Sequence, residues 1–271
     1  RASALPVGAP EDVEKISPVE ASWRLLEHLS EAWEATTATP LAEQEVVLTV
    51  PASFDAAARD LTVEAAVAAG FEHLTLLEEP QAALYAWIEA LGDAWRKEIR
   101  VGDVILVVDV GGGTTDLSAI CALEKNGELE LVRVAVGDHI LLGGDNMDLA
   151  LAHLVRNRLV AEGKEVDRWQ MVALTHACRV AKERLLSDES VQSAPIAIAG
   201  RGSNLFGGAL RTELARDEVT ASLVDGFFPE VPSAARPTVR ARTGLQQLGL
   251  PYASDPAVTK QQVEWTRDES A

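Results

Sequence analysis

The stretch Asp109-Val-Gly-Gly-Gly-Thr-Thr-Asp116 decides the fold of this 271-residue chain. It follows directly after Val104–Val110, the most apolar strand-like run in the sequence. An unbroken β-branched run of this kind is typical of a strand buried on both faces. Three consecutive glycines cost backbone entropy, so either a tight hairpin or a closely approaching ligand must require them.

The glycine turn has the composition of a phosphate-binding loop. Without Cβ atoms, successive backbone N–H groups can approach and cradle a phosphate, and the hydroxyls of Thr114 and Thr115 add donors. Asp109, at the carboxyl end of the predicted strand, can hold a divalent cation or its water. The turn lacks the Lys of a P-loop and no helix begins directly after it, so a P-loop mechanism does not fit. A plain glycine-rich hairpin remains the alternative.

Strands and helices alternate upstream of this turn. Residues 18–37 have helical periodicity, and Glu45–Val50 is a short β-branched run. A helix is predicted from its cap at Asp55 to Gly70, a second strand at His73–Leu77, and a helix from about Pro80 to Gly92. This order predicts an α/β architecture with parallel strand pairing.

The downstream half opens with antiparallel strands. Asp116–Leu123 and Glu128–Val136 flank Asn126-Gly127, which is a strong hairpin signal, so the predicted sheet is mixed. Tryptophans at helical spacings indicate core positions. The further predicted elements are helices at about Asn146–Glu162, Trp169–Leu186 and 213–228, and a hairpin of Val191–Ile198 with Leu205–Leu210.

Composition excludes several classes of function. The formal net charge is −18 and the sequence has no run of Lys and Arg, which argues against binding nucleic acid or anionic lipid. A small anionic ligand remains possible, because backbone amides can bind phosphate. Two cysteines make no disulfide framework, and we expect a reducing cytoplasmic setting. No run is long enough to span a bilayer.

Five segments together resemble one family. Asp109–Asp116 resembles the second phosphate motif of actin-like ATPases, in the form seen in the 70-kDa heat-shock (DnaK-type) chaperones. The other four occur in the family's order: Val50-Pro-Ala-Ser-Phe-Asp55, Glu79-Pro-Gln-Ala-Ala-Leu84, Leu142-Gly-Gly-Asp-Asn-Met-Asp148 and Ala177-Cys-Arg-Val-Ala-Lys-Glu-Arg-Leu185. The resemblance covers about residues 18–225. It implies an actin-like ATPase fold, with a ribonuclease-H-like mixed sheet and an inserted helix-plus-hairpin subdomain.

The resemblance also implies a site for ATP or ADP with Mg²⁺. Asp109 would position Mg²⁺ and the attacking water, Glu79 would hold the water shell of the metal, and Asp116 would help to bind Mg²⁺ or a monovalent ion. The implied nucleotide contacts are Gly111, Gly112, Gly113, Thr114 and Thr115 on the phosphates, Gly143, Gly144 and Asp145 on the ribose side, and Arg179, Lys182 and Glu183 beside adenosine.

The sequence departs from the family pattern at several positions. Arg179 stands where an acid is usual, Glu183 where a basic or apolar residue is common, and Leu186 where the motif ends in serine. Glu78 replaces the usual Asn before Glu79. The first phosphate loop, its lysine and the later adenosine motif have no counterpart, so we expect the chain by itself to bind ATP poorly.

The resemblance predicts the ATPase module of a DnaK-type chaperone, coupled to a peptide-binding domain and co-chaperones. Alternatives are an actin-like pseudo-ATPase that senses nucleotide without turnover, a sugar or acetate kinase, and a filament-forming ATPase. The chain is predicted to begin with a linker or cut end at 1–17, followed by the end of the first lobe with its connecting helix at 18–102. The second lobe starts with the phosphate hairpin at 103–145. The inserted helix-plus-hairpin subdomain at 146–231 and a weakly patterned tail at 232–271 complete the prediction.

Overall fold

The computed structural model describes residues 13–200, 209–238 and 253–268. The chain divides into two compact units. The first comprises the chain up to Val107 together with Ser118–Val136, and the second comprises Val108–Leu117 together with the chain from Gly137 onward. The division passes through the two strands on either side of the glycine turn. In the described part, no helix is both long and apolar enough to cross a membrane.

The first part of the chain alternates helices and strands as the sequence predicts. Its elements are α1 Pro18–Thr37, a 3₁₀ turn Leu41–Glu43, β1 Glu45–Val50, α2 Ala56–Ala68, β2 His73–Glu78, α3 Glu79–Leu91, a 3₁₀ turn Gly92–Ala94, α4 Trp95–Glu98, β3 Val104–Val110, β4 Thr115–Lys125 and β5 Glu128–Val136.

Local signals account for this order. Asp55 caps α2, since its carboxylate accepts a hydrogen bond of 2.8 Å from Ala58 N. Gly70, just beyond the helix, has φ +90°, which favours glycine. β1 and β2 then pair in parallel, in register from Glu45↔His73 to Val50↔Glu78, which confirms the predicted parallel pairing.

β3, β4 and β5 form a separate three-stranded sheet in that order. The turn between β4 and β5 has φ +56° at Asn126 and +82° at Gly127, as a two-residue hairpin turn requires.

The prediction that β3 is buried on both faces is wrong, because β3 lies at the edge of its sheet: Val104 is 62% and Val108 38% exposed. The central strand β4 carries the buried residues of the sheet instead.

The prediction that the tryptophans are core residues is also wrong for several of them. Trp33, Trp87 and Trp169 are 41%, 40% and 64% exposed. Helical periodicity identified one face of each helix, but a large aromatic ring at the margin of that face keeps part of its surface in water. Leu84, on the same helix as Trp87, is buried.

The second part of the chain contains the longer helices and a hairpin. Its elements are α5 Gly144–Ala161, α6 Arg168–Ser187, β6 Ser193–Ile198, β7 Leu210–Ala215, α7 Arg216–Val219, a π-helical segment Thr220–Val224, α8 Asp225–Phe227 and α9 Val258–Asp268. The hairpin of β6 with β7 is antiparallel, but its second strand lies later than predicted. Residues 205–208, the start of the predicted strand, lie outside the described residues, and residues 213–215 belong to β7 rather than to a helix.

One hydrophobic core joins these elements. It includes Leu151, Leu174 and Leu214, none of which is exposed. Against the prediction of a weakly patterned tail, Val258 at the start of α9 joins the same core and is 1% exposed. Buried Asp255 anchors this segment: burial opposes its charge, but hydrogen bonds from Ala257, Thr238 and Lys260 outweigh that effect and lower the pKa of Asp255 to about 2.

Candidate functional site

The glycine turn between β3 and β4 is closed by a hydrogen bond of 2.8 Å from Gly111 N to Thr114 O. The backbone N–H groups of Gly112, Gly113 and Thr114 donate no hydrogen bond to any residue that the structure describes. All three glycines are exposed. The turn thus presents a run of three adjacent amide donors, the arrangement that favours an anion.

The local structure does not explain why positions 112 and 113 are glycine. No residue of the turn has a φ in the left-handed region, so conformation does not demand glycine there. Among the described residues, a Cβ built on Gly112 or Gly113 would have no atom within 4 Å, so packing against this part of the chain does not demand glycine either. The requirement that the described residues leave open is close approach of another group, such as a ligand.

The N-terminus of α5 holds the other side of the turn. Gly144 N donates to Gly111 O at 2.9 Å, and Asp145 N donates to Gly112 O at 2.7 Å. Gly143 makes this approach possible, because a Cβ there would lie 2.6 Å from Gly111 O and 2.7 Å from Gly112 O. This position therefore needs glycine for steric reasons that lie within the chain.

The contact with α5 also orients the free amides. In a trans peptide the C=O and N–H of one unit point in opposite directions. The carbonyls of Gly111 and Gly112 point at α5, so the N–H groups of Gly112 and Gly113, which share those peptide units, point away from it. The hydrogen bonds from α5 to these two carbonyls therefore hold the N–H groups of Gly112 and Gly113 pointing outward.

The two threonines of the turn differ in what they can bind. Thr115 is buried, and its hydroxyl donates to Leu142 O at 2.8 Å. Its backbone is paired with Ile140, with Thr115 N to Ile140 O at 2.9 Å. This hydroxyl is engaged in holding the segment before α5. Thr114 is half-buried, and its hydroxyl has no hydrogen-bond partner among the described residues.

The two aspartates flanking the turn also differ. Asp109 is half-buried, and within the described part of the chain its carboxylate has neither a hydrogen bond nor an ion pair. The Oδ1 atom of Asp116 lies 2.7 Å from the Nδ1 atom of His139. Sequence reasoning missed His139, which the β4–β5 hairpin and the pairing of Thr115 with Ile140 bring beside Asp116. The predicted hairpin was the signal that could have found it.

A family model described as Hsp70 protein matches residues 5–239. The chain belongs to the Hsp70 family. A chaperone protein HscA homolog of Variovorax paradoxus (strain S110) is 36% identical over 238 residues, which cover 86% of this chain and 34% of that relative. Another, from Histophilus somni (strain 129Pt), is 34% identical over 233 residues, which cover 83% and 32% respectively. The chain therefore spans about a third of the length of these curated relatives.

The three candidate residues of the Hsp70 motif on α6 form two different ion pairs. Lys182 Nζ lies 2.6 Å from Asp148 Oδ1, and both side chains are almost buried. Arg179 Nε donates to Glu183 at 3.1 Å on the exposed surface. Glu183 raises the pKa of Arg179 by this hydrogen bond and by its charge, and Asp148 and Asp145 add to the effect. Asp145 and Asp148 both lie in the first turns of α5.

Glu79 is the one candidate residue in the first unit, where it begins α3. It is half-buried, between the buried residues Glu78 and Pro80. The remaining candidate residues belong to the second unit. In that unit the turn contacts the N-terminus of α5, and α5 is joined to α6 by the pair of Asp148 with Lys182.

The residues of the site fit the groups that the Hsp70 family implies, a phosphate and a hydrated divalent cation. The outward amides fit a phosphate, since they form an exposed set of donors without acceptors. The unpaired carboxylate of Asp109 fits a hydrated cation rather than a cage of protein ligands. Within residues 13–200, 209–238 and 253–268, no three His, Cys, Asp or Glu side chains converge on a common metal position.

Proposed function

We propose that this chain forms part of the ATP-binding and ATP-hydrolysing module of an Hsp70-type chaperone. One observation carries the proposal: Gly112 and Gly113 are required neither by conformation nor by packing, and their N–H groups are held outward without acceptors. A phosphate group at this turn accounts for both facts. Membership in the Hsp70 family supports the same ligand.

The residues of the turn have separate roles in this proposal. The amides of Gly112, Gly113 and Thr114 bind the outer phosphates of ATP. Asp109 would hold Mg²⁺ through a bound water. For Glu79, in the first unit, the role of a metal-binding carboxylate is proposed from the Hsp70 relationship alone. When bound, Mg²⁺ would supply positive charge against the charge that develops during phosphoryl transfer to water. Thr115 supports the turn through Leu142 instead of contacting the nucleotide.

The nucleoside side of the site is built around α5 and α6. Gly143 and Gly144 bring the start of α5 against the turn, and the carboxylate of Asp145 is free to contact ribose. Lys182 neutralises buried Asp148, so we assign it to holding the two helices together. Arg179 and Glu183 are exposed and supply the polar groups beside adenosine.

We extend the proposal to coupling with a peptide-binding domain and co-chaperones, and to a cytoplasmic location, and the Hsp70 relationship supports both. Cys121 and Cys178 are free thiols, as a reducing compartment requires. Asp116 with His139 is the proposed place for an accessory ion beside the turn.

Binding and hydrolysis of Mg-ATP should be measured separately, by titration calorimetry and by phosphate release, on this chain and on a longer protein that carries it. Asp109→Asn serves as the test variant. We expect slow turnover in the longer protein, and in the variant loss of turnover with retained binding. Binding without turnover in either protein would identify a nucleotide sensor. Absence of binding in both proteins would reject the nucleotide site.

A further inference from the structure

A buried carboxylate between two arginines lies directly before Glu79. Glu78 is the last residue of β2 and is 9% exposed. Arg59 Nη2 donates to its Oε1 at 2.7 Å, and Arg133 Nε lies 2.7 Å from its Oε2. Each carboxylate oxygen therefore has its own guanidinium partner, and all three residues belong to the first unit.

The two arginines come from different elements. Arg59 lies on α2, and its Nε also donates to Phe54 O at 3.1 Å, in the loop before that helix. Arg133 lies on β5. Through these contacts Glu78 links the β2–α3 junction to α2, to its preceding loop and to the β4–β5 hairpin. We call Arg59, Glu78 and Arg133 the arginine clamp.

The arginine clamp restricts the orientation of the Glu78 carboxylate and also stabilises its negative charge. Arg59 donates a charge-assisted hydrogen bond to one oxygen and Arg133 forms an ion pair with the other, and two charged partners restrict the plane of a carboxylate more than one does. Removing one partner of a buried ion pair strongly destabilises a fold, so the contacts of Glu78 favour one arrangement of the β2–α3 junction. On the other side of Glu79, buried Pro80 limits the backbone of the residue before it.

We propose that Glu78 is a positioning residue that acts through Glu79. The clamp fixes the backbone at the end of β2, Pro80 fixes it at the start of α3, and Glu79 between them is presented in one orientation. This inference rests on the proposed function for the role of Glu79. The clamp itself is a property of the first unit and can be tested without nucleotide.

The first test uses the chain without ligand. Amide hydrogen exchange from Leu77 to Leu84 is compared between the wild-type chain and Glu78→Gln, with Glu130→Gln as the control. Glu130 is also paired, with Lys125 at 3.0 Å, but that pair is exposed. We expect exchange at the junction to rise at least tenfold in Glu78→Gln only, while amides of β6 and β7 are unchanged. Unchanged exchange at the junction would overturn the clamp.

The second test is a double-mutant cycle on steady-state ATP hydrolysis in the longer protein. Misplacing a reacting group slightly lowers kcat by about ten- to a hundredfold, so we expect a loss of that size in Glu78→Gln, with nucleotide Kd changed less than about twofold. Because Glu78 acts only through Glu79, Glu78→Gln combined with Glu79→Gln should be no slower than Glu79→Gln alone. If the reductions in kcat of the two single variants multiply in the double variant, Glu78 has a general structural role and the proposal is overturned.

Two further outcomes are informative. If Glu78→Gln does not fold, Arg133→Gln replaces it, since this change leaves the pair of Arg59 with Glu78 in place; a junction that exchanges no faster in this variant overturns the clamp. If Glu79→Gln leaves hydrolysis unchanged while the junction loosens in Glu78→Gln, the clamp stands as structure, and the positioning role is rejected together with the catalytic role of Glu79.

Discussion

Two turns of this protein contain glycine for opposite reasons. The turn between β4 and β5 uses Gly127 at φ +82°, after Asn126 at +56°, so the backbone conformation itself demands these residues. The turn between β3 and β4 contains Gly112 and Gly113, neither of which has a left-handed φ or a neighbour within 4 Å of a Cβ. Glycine in the first turn permits a left-handed backbone conformation, whereas glycine in the second leaves the backbone N–H groups accessible.

Gly143 shows a third reason, which lies between these two. Its backbone is extended, with φ −166°, but the carbonyls of the β3–β4 turn lie where its Cβ would be. It is therefore required by packing against the turn rather than by its own conformation. The three cases predict three different responses to the same change, glycine to alanine.

The largest effect on stability is expected for Gly143→Ala. Its Cβ would lie 2.6 Å from Gly111 O and 2.7 Å from Gly112 O, so the turn and α5 must separate. Overpacking of this kind costs about 2–3 kcal/mol, to be measured as the free energy of unfolding in urea. Gly144→Ala is the matched control, because its nearest contact would be 3.7 Å away. Equal stability of the two variants would show that the turn is not held against α5.

The next effect concerns binding and leaves stability unchanged. Gly112→Ala should keep or slightly raise the free energy of unfolding, since a Cβ there meets open space and the unfolded chain loses freedom. It should weaken Mg-ATP binding at least tenfold, about 1.4 kcal/mol, by covering the outward amides. The control is Gly226→Ala, where a Cβ makes only an ordinary contact at 3.9 Å. Unchanged affinity in Gly112→Ala would remove the main support for a phosphate at this turn.

Much of the fold could be predicted because its signals are local. The cap at Asp55, the glycine at position 70 and the Asn126-Gly127 turn each act within a few residues, and the parallel pairing of β1 with β2 follows from the order of elements. Burial was harder to predict. The apolar run of β3 is consistent with either a central or an edge strand, because composition does not encode the position of a strand in its sheet.

For the candidate site, the sequence predicted which residues take part but not which contacts they make. The sequence identified the glycine turn and the motif on α6, but it gave no sign that Thr115 is engaged with Leu142 or that Lys182 neutralises Asp148. Each of these contacts joins positions far apart in the chain. Single-sequence patterns report neighbours within an element, so partners across elements stay undetermined until the fold is known.

A smaller effect is expected at the conformational turn. Gly127→Ala places a side chain at φ +82°, which costs roughly 1–2 kcal/mol for a residue other than glycine. Nucleotide affinity should stay unchanged in this variant, the reverse of the result for Gly112→Ala. Urea unfolding and calorimetry on the same two proteins provide the comparison. A loss of affinity in Gly127→Ala would mean that the two turns are coupled and that their glycines are not separate in function.

The smallest effect is expected for Glu130→Gln. Its ion pair with Lys125, at 3.0 Å, flanks the Asn126-Gly127 turn, and the two side chains are 41% and 65% exposed. Exposed pairs contribute about 0.2–1 kcal/mol and are screened by salt, so we expect a loss below about 0.5 kcal/mol that shrinks further at high ionic strength. Unfolding in urea at low and high salt measures it. A loss above about 1 kcal/mol would show that charge, rather than left-handed backbone, holds this hairpin, and Gly127→Ala would then no longer isolate conformation.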